Sequence, residues 1–258
     1  MIVKTIGSGS SGNGYALISG EDVLLLECGV PAKEMLKAID YRTSMVNGCL
    51  LSHIHGDHAG YVKQYMQYGI MVYTSDEVET DVETVLGEKT IGLQRMKRQK
   101  IGSFEVVPFH VPHGETECDG WLIDTPDGRI LFITDAEYCP YDFSKMNINY
   151  GLIECNYSEN YLSAEDSSSK NHHVLTGHLE LQTCKRLIQS ISSNSLRSIG
   201  LIHLSAGNGN PVRFTEEIQE IVDCDVDVWV AEKMARKKNL NWNRFRRKHG
   251  KKICDICR

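Results

Sequence analysis

Hydrophobic and polar positions alternate in short bursts near the start of the chain. Residues 2–6, 15–19 and 23–27 each read as a strand, the last two joined by a turn at Gly20-Glu21-Asp22. Between the first two lies a glycine-rich turn, Gly7-Ser8-Gly9-Ser10-Ser11-Gly12-Asn13-Gly14. It lacks the Lys-Ser/Thr ending of a P-loop and opens no clear helix, which argues against a phosphate cradle of that kind. The spacing then predicts a helix over residues 31–39, a strand over 48–52 and a helix over 60–68. A short strand over 71–73 follows, then a helix over 75–85 capped by Ser75.

A second block is richer in strands. Residues 104–109, 121–124 and 130–134 fit strands separated by turn signals, including Pro126-Asp127-Gly128. Residues 151–154 form another apolar strand. Leu181, Cys184, Leu187, Ile188 and Ile191 recur at helical spacing. A buried strand over 198–204, a helix over 214–222 and a strand over 226–230 complete the pattern. Strands in two groups interleaved with helices predict an α/β fold of two sheets packed face to face with helices outside. No internal repeat recurs at a fixed period. Ser167-Ser168-Ser169 marks an expected mobile loop.

Composition changes this picture little. The chain has 258 residues, 41% hydrophobic and 24% charged, enough for a sizeable core. No apolar run is long enough to span a membrane. Met1-Ile2-Val3-Lys4-Thr5 does not open like a secretory signal. Nine cysteines, an odd number scattered along the chain, do not form a disulfide framework. A reducing, cytoplasmic setting is the expectation.

Charge changes it more. The net charge is −6, but residues 233–258 hold eleven Lys or Arg against the single acid Asp255. That segment carries +10, and the other 232 residues, with 17 bases and 33 acids, carry −16. The division predicts a folded domain over 1–231 and a basic tail over 232–258. Such a tail on an acidic body suits contact with nucleic acid or another polyanion. It ends in Cys254 and Cys257, one CxxC with no second pair, so a Cys₄ zinc site would need a homodimer.

The chemistry concentrates in His53-Ile54-His55-Gly56-Asp57-His58. On an extended strand end His53 and His55 point to the same side, because side chains alternate with period two. The chain turns at Gly56, so Asp57 and His58 can face a neighbouring point from the first turn of a helix. Imidazole and carboxylate suit Zn²⁺ and other borderline divalent ions. Further donors sit at strand ends, where loops on a rigid scaffold usually carry function: His113, Asp135 and His203. Together with the first motif they supply the seven ligands that a two-metal site with a bridging carboxylate needs.

This order of donors on a strand-rich frame resembles the metallo-β-lactamase fold superfamily over about residues 1–231. Within it the chain is most similar to the WalJ/YycJ-like group. The resemblance is carried by Gly7-Ser8-Gly9-Ser10-Ser11-Gly12-Asn13, Glu154-Cys155-Asn156, His203-Leu204-Ser205 and Asn208-Gly209-Asn210-Pro211. It implies a four-layer αββα sandwich. It also implies that His53, His55 and His113 hold one metal, that Asp57, His58 and His203 hold the other, and that Asp135 bridges them. His110 competes with His113, which is preferred because it follows Pro112 in an evident loop. Two Zn²⁺ are expected, with Mn²⁺ as the substitute. The chain departs from the superfamily at Glu27, where Asp is usual and mainly structural. His178, in Gly177-His178-Leu179-Glu180, is placed like the histidine of phosphodiesterases such as tRNase Z that protonates the leaving oxygen.

The expected function is a two-zinc phosphodiesterase using a metal-activated hydroxide, with Asp57 and His178 as catalytic residues. The WalJ/YycJ-like group is associated with DNA exonuclease activity, and the basic tail favours DNA or RNA. The acidic body favours a compact substrate such as the cyclic nucleotide of the phage anti-Pycsar enzymes. Thioester or lactone hydrolysis is the alternative within the fold. A metal-stabilised nucleic-acid binding module without catalysis is the alternative outside enzymes. A full ligand set disfavours the latter, since structural zinc sites close at four ligands.

Overall fold

The computed structural model describes residues 1–161 and 177–231, together with the backbone of 237–239. Ser167-Ser168-Ser169, Cys254, Cys257 and most of the basic tail lie outside the described residues.

The first half builds one sheet. Strands β1 (Ile2–Gly7), β2 (Gly14–Ser19) and β3 (Asp22–Leu26) run as an antiparallel meander. Helix α1 (Ala32–Ala38) then crosses to β4 (Val46–Leu50), which pairs parallel to β3. Helices α2 (Gly56–Ala59) and α3 (Val62–Gln67) lead to β5 (Val72–Ser75), and α4 (Asp76–Asp81) leads to β6 (Ile91–Leu93), both again parallel. Ser75 caps α4 by accepting the Val78 amide at 3.2 Å. Beyond Asp81 the helix widens into a π turn, Val82–Leu86, and stops at Gly87, whose φ of 67° favours glycine.

The second half repeats the plan. Strands β7 (Gln99–Ile101), β8 (Phe104–His110), β9 (Asp119–Thr125) and β10 (Gly128–Ile133) are antiparallel. Strands β11 (Tyr150–Glu154), β12 (Ser198–Ile202) and β13 (Asp227–Val230) continue parallel to β10. Helix α5 (Leu181–Ile191) connects β11 to β12, and α6 (Pro211–Gln219) connects β12 to β13. The backbone of β14 (Lys237–Asn239) returns to the first sheet and sets Asn239 opposite Ile2.

Side-chain alternation sorts the core into layers. Leu24 and Leu26 of β3 face Phe104, Trp121, Ile130 and Phe132 of the other sheet. Val23 and Leu25, one residue out of phase, face Met35, Leu36 and Tyr65 of the helices. On the far side Ile133 and Ile153 meet Leu181, Ile188 and Phe214. Three apolar layers separated by two sheets give the four-layer αββα sandwich. Leu24 is fully buried, and its truncation to Ala would cost about 2–5 kcal/mol.

The sequence pattern misses β6 and β7, which have three residues each and show too little alternation. It also starts α6 late. The helix begins at Pro211, with the Asn210 side chain accepting the Arg213 amide at 3.0 Å.

Candidate metal centre

Parallel strands end along one edge of the sandwich, and that edge collects the polar side chains. Glu27 follows β3, His53 follows β4, Asp135 follows β10, Glu154 ends β11 and His203 follows β12. Ligands of open parallel sheets sit outside such carboxyl ends. Three of these residues have left-handed backbones: Glu27 (φ 68°), Asp135 (φ 45°) and His203 (φ 53°). Non-glycine residues are held there only when their surroundings over-determine them, a pattern that clusters at functional sites.

The first point is built from imidazoles. His53 Nε2 and His113 Nε2 lie 3.1 and 3.0 Å from His55 Nδ1. His113 Nδ1 donates to the Gly177 carbonyl at 2.6 Å, so its Nε2 presents a lone pair to the cluster. Burial, with the neighbouring histidines, pushes His53 well below the usual imidazole range, and burial likewise lowers His55 and His113. Neutral rings leave an excess of lone pairs facing one another, and a divalent cation satisfies that arrangement. Asp135 Oδ2 approaches His53 Nε2 at 3.8 Å and His113 Nε2 at 3.9 Å.

The second point is richer in carboxylates. His58 Nε2 lies 3.2 Å from Asp135 Oδ1 and 3.5 Å from Asp57 Oδ2, and His203 Nε2 lies 3.2 Å from Asp57 Oδ2. Burial opposes charge on both rings, but Asp135 and the neighbouring carboxylates outweigh it. His58 is raised, and His203 is pushed up to about 10. Burial would likewise raise Asp57 and Asp135, yet the histidines hold both well below the usual carboxylate range. Protons on His58 and His203 thus supply positive charge where a cation would otherwise supply it.

All seven residues expected from the sequence come together. His53, His55, His113 and Asp135 form one group with ligand atoms within 4.8 Å of one another, and Asp57, His58, Asp135 and His203 form a second. The two carboxylate oxygens of Asp135 face different groups. His110, the competitor, ends β8 and points to Glu117 at 3.6 Å instead. His53, His58, His113, Asp135 and His203 are buried, while His55, Asp57 and His178 are half-buried. The site is therefore open to solvent on that side.

A third group was only partly foreseen. Glu154 is fully buried, and its Oε1 accepts from His178 Nδ1 at 2.8 Å and His203 Nδ1 at 3.0 Å. Its Oε2 accepts the amides of Ala136 (2.9 Å) and Leu179 (3.1 Å). Burial opposes ionisation of both partners, but their mutual attraction lowers Glu154 and raises His178. The sequence signals for Glu154 are an acid closing the apolar run Gly151-Leu152-Ile153 and its place in the Glu154-Cys155-Asn156 resemblance, and neither pairs it with His178. Glu27 is also more than scaffolding, since its Oε2 lies 3.2 Å from His58 Nδ1 and fixes that ring. From the glycine-rich turn, Asn13 Nδ2 reaches to 2.9 Å from His58 Nε2.

A family model described as anti-Pycsar protein Apyc1 matches residues 6–77. Exodeoxyribonuclease WalJ of Streptococcus pneumoniae serotype 2 is 22% identical over 241 residues, covering 87% of this chain and 90% of that protein. YhfI from Bacillus subtilis, a metallo-β-lactamase fold protein, superposes with a TM-score of 0.69 at 19% identity over 91% of this chain and 97% of its own. The short form of human tRNase Z gives 0.59 at 15% identity over 91% and 98%. The chain has the metallo-β-lactamase fold.

Proposed function

We propose that this chain is a metal-dependent hydrolase that cleaves phosphodiesters. The observation that carries this reading is the pair of ligand groups sharing Asp135, with the Glu154–His178 pair beside them. The names of the relatives support it: an exodeoxyribonuclease and a tRNase. His53, His55 and His113 would hold one ion, Asp57, His58 and His203 the other, and Asp135 both. Imidazole with carboxylate suits Zn²⁺, with Mn²⁺ as a substitute. Two such ions, when bound, supply a hydroxide near neutral pH and neutralise charge developing on phosphorus.

The chain's own residues do the rest. Glu154 holds His178 by Nδ1 and keeps it protonated, leaving Nε2 to give a proton to the departing oxygen. An alkoxide is a poor leaving group, so this proton matters most for natural phosphodiesters. Glu27 and Glu154 fix the tautomers of His58 and His203 from outside the ligand groups. Half-buried His55, Asp57 and His178 mark the side from which substrate enters.

A nucleic acid is the favoured substrate, and a cyclic mononucleotide is the second reading. The latter draws on the match of residues 6–77 and on the acidic body, which repels long polyanions. All seven cysteines in the described residues are free thiols, which supports a reducing, cytoplasmic setting. Among these residues no helix is long and apolar enough to cross a membrane. The test is metal content after dialysis, with activity on bis-p-nitrophenyl phosphate, cyclic mononucleotides, and single- and double-stranded DNA and RNA. Two ions per chain and phosphodiester hydrolysis are expected. A protein that takes up no transition metal even on reconstitution would overturn the proposal.

A further inference from the structure

A groove of about 700 Å³ lies between the segment after Asp135 and helix α5, a volume within the range of small-molecule sites. Glu154 ties both of its walls to the candidate metal centre. The amide of Ala136, which starts one wall, donates to Glu154 Oε2. The amide of Leu179, just before the other wall, donates to the same oxygen, and His178 donates to Oε1. One end of the groove, at Glu137, thus lies two residues from Asp135 and next to the Ala136 amide that Glu154 holds.

Its lining is selective. Tyr138 is 50% exposed, and Pro140 and the largely buried Leu187 also line the groove. A half-exposed aromatic ring offers a face on which any base can stack. Arg186 stands on the outer face of α5, with Nη2 donating to Thr183 Oγ1 at 2.8 Å. Among the described residues this guanidinium makes no ion pair, whereas Lys185, its neighbour on the helix, is bound to Glu217. Two carboxylates also line the groove and keep their charge: Glu137 accepts the Gly114 amide and Asp142 the Ser144 amide. Cys139, also in the lining, is a thiol whose pKa burial pushes up to about 11, so the groove holds no ready nucleophile. The aromatic face and the guanidinium are the two contacts a nucleotide unit would use here, one for its base and one for a phosphate.

We propose that this groove binds the nucleotide on the leaving-group side of the scissile phosphodiester, its base on Tyr138 and its next phosphate on Arg186. The inference rests on the phosphodiesterase reading and adds to it a strand rather than a closed ring as the substrate.

The test uses the full-length, metal-loaded protein and three substrates: bis-p-nitrophenyl phosphate, a dinucleoside monophosphate, and the same dinucleotide with a second phosphate on the leaving-side nucleoside. The second phosphate should raise kcat/KM about tenfold in the parent protein, the gain of one charge-assisted contact. Arg186→Glu should erase that gain, and Arg186→Lys should keep most of it. Tyr138→Ala should lower the ratio of dinucleotide to bis-p-nitrophenyl phosphate turnover by roughly tenfold, the loss of one stacked base. Binding of a phosphorothioate single strand gives a second readout, and its salt slope should flatten by about 0.7 in Arg186→Glu. Hydrolysis of bis-p-nitrophenyl phosphate with no gain from the second phosphate, or a gain and slope that survive Arg186→Glu, would overturn the groove alone. Inertness toward all three substrates would overturn the phosphodiesterase reading, and the groove with it.

Discussion

The two ligand groups share Asp135 yet differ in how they are built. His53, His55 and His113 are rings lowered by burial, and no carboxylate oxygen of Asp135 comes closer than 3.8 Å to them. His58 and His203 are rings raised by Asp57, Asp135, Glu27 and Glu154. The first group is therefore already in the state a cation binds. The second must give up protons before it can bind one. The lesson is that one edge of the sandwich offers two sites of unequal cost, and the more costly site lies beside Glu154 and His178.

The most damaging test removes what they share. Asp135→Asn keeps the shape and tolerates the left-handed backbone better than Ala would. Phosphodiester turnover should fall by about 10³-fold or more, the scale of losing a key electrostatic group, and bound metal should fall below two ions per chain. Elemental analysis and circular dichroism on the same samples separate ligand loss from unfolding. Full metal content with undiminished turnover would break the assignment of Asp135 to both groups.

The difference in protonation makes the next prediction. His203, with a pKa of about 10, and His58, also raised, hold protons at pH 7, and both must leave when a cation takes their place. Affinity at the second point should then drop by roughly 100-fold per pH unit as pH falls below 7. The first group holds no such protons, so its affinity should change little over the same range. Titration calorimetry in buffers of different ionisation enthalpy would count the protons. Equal release at the two points would erase the contrast.

Two donors of each group were easy to read from sequence, and the reason is local. His53, His55, Asp57 and His58 lie within six positions, where a strand end and a helix start fix their directions. His113, Asp135 and His203 are remote in sequence, and strand ends alone brought them into view. The sandwich was legible because β2, β3, β9, β10 and β12 carry strong apolar signals. Glu154 came into view only as part of a resemblance and Glu27 only as a mainly structural residue, and neither was assigned to the site. Their roles depend on which ring nitrogen faces them in three dimensions, and that follows from packing between the sheets. Groove residues such as Arg186 are invisible for the same reason, since an exposed guanidinium on a helix usually meets solvent.

Two variants separate the second point from the proton donor beside it. His178→Ala should slow esters with alkoxide leaving groups by about 10²-fold, while p-nitrophenyl esters, which need little protonation, should lose far less. Glu154→Gln keeps the shape but removes the charge that raises His178 and His203. It should cost about 10–100-fold, the usual scale for a partner behind a ligand. Because the folded-state pKa of His178 is held up by Glu154, the alkaline limb of the rate profile should move to lower pH in this variant. Equal slowing of both ester types, or an unmoved alkaline limb, would leave His178 as a positioning residue.

The smallest effect belongs to Glu27, behind His58. Glu27→Asp installs the residue that the metallo-β-lactamase resemblance leads one to expect at this position. It shortens the reach to His58 Nδ1 by one methylene and should weaken a bond now at 3.2 Å. Asp tolerates the left-handed backbone at φ 68° better than Glu, which offsets part of that loss. The balance should be a drop of about tenfold or less in metal affinity at the second point, below the 10–100-fold typical of losing such a partner outright. No side-chain hydrogen bond or ion pair joins Glu27 directly to His53, His55 or His113, and the first group should bind as before. Competition with a chelator, followed separately at the two points with Co²⁺ as the reporter, measures both. A larger loss at the first group than at the second would show that Glu27 acts through the β3–β4 pairing rather than through His58.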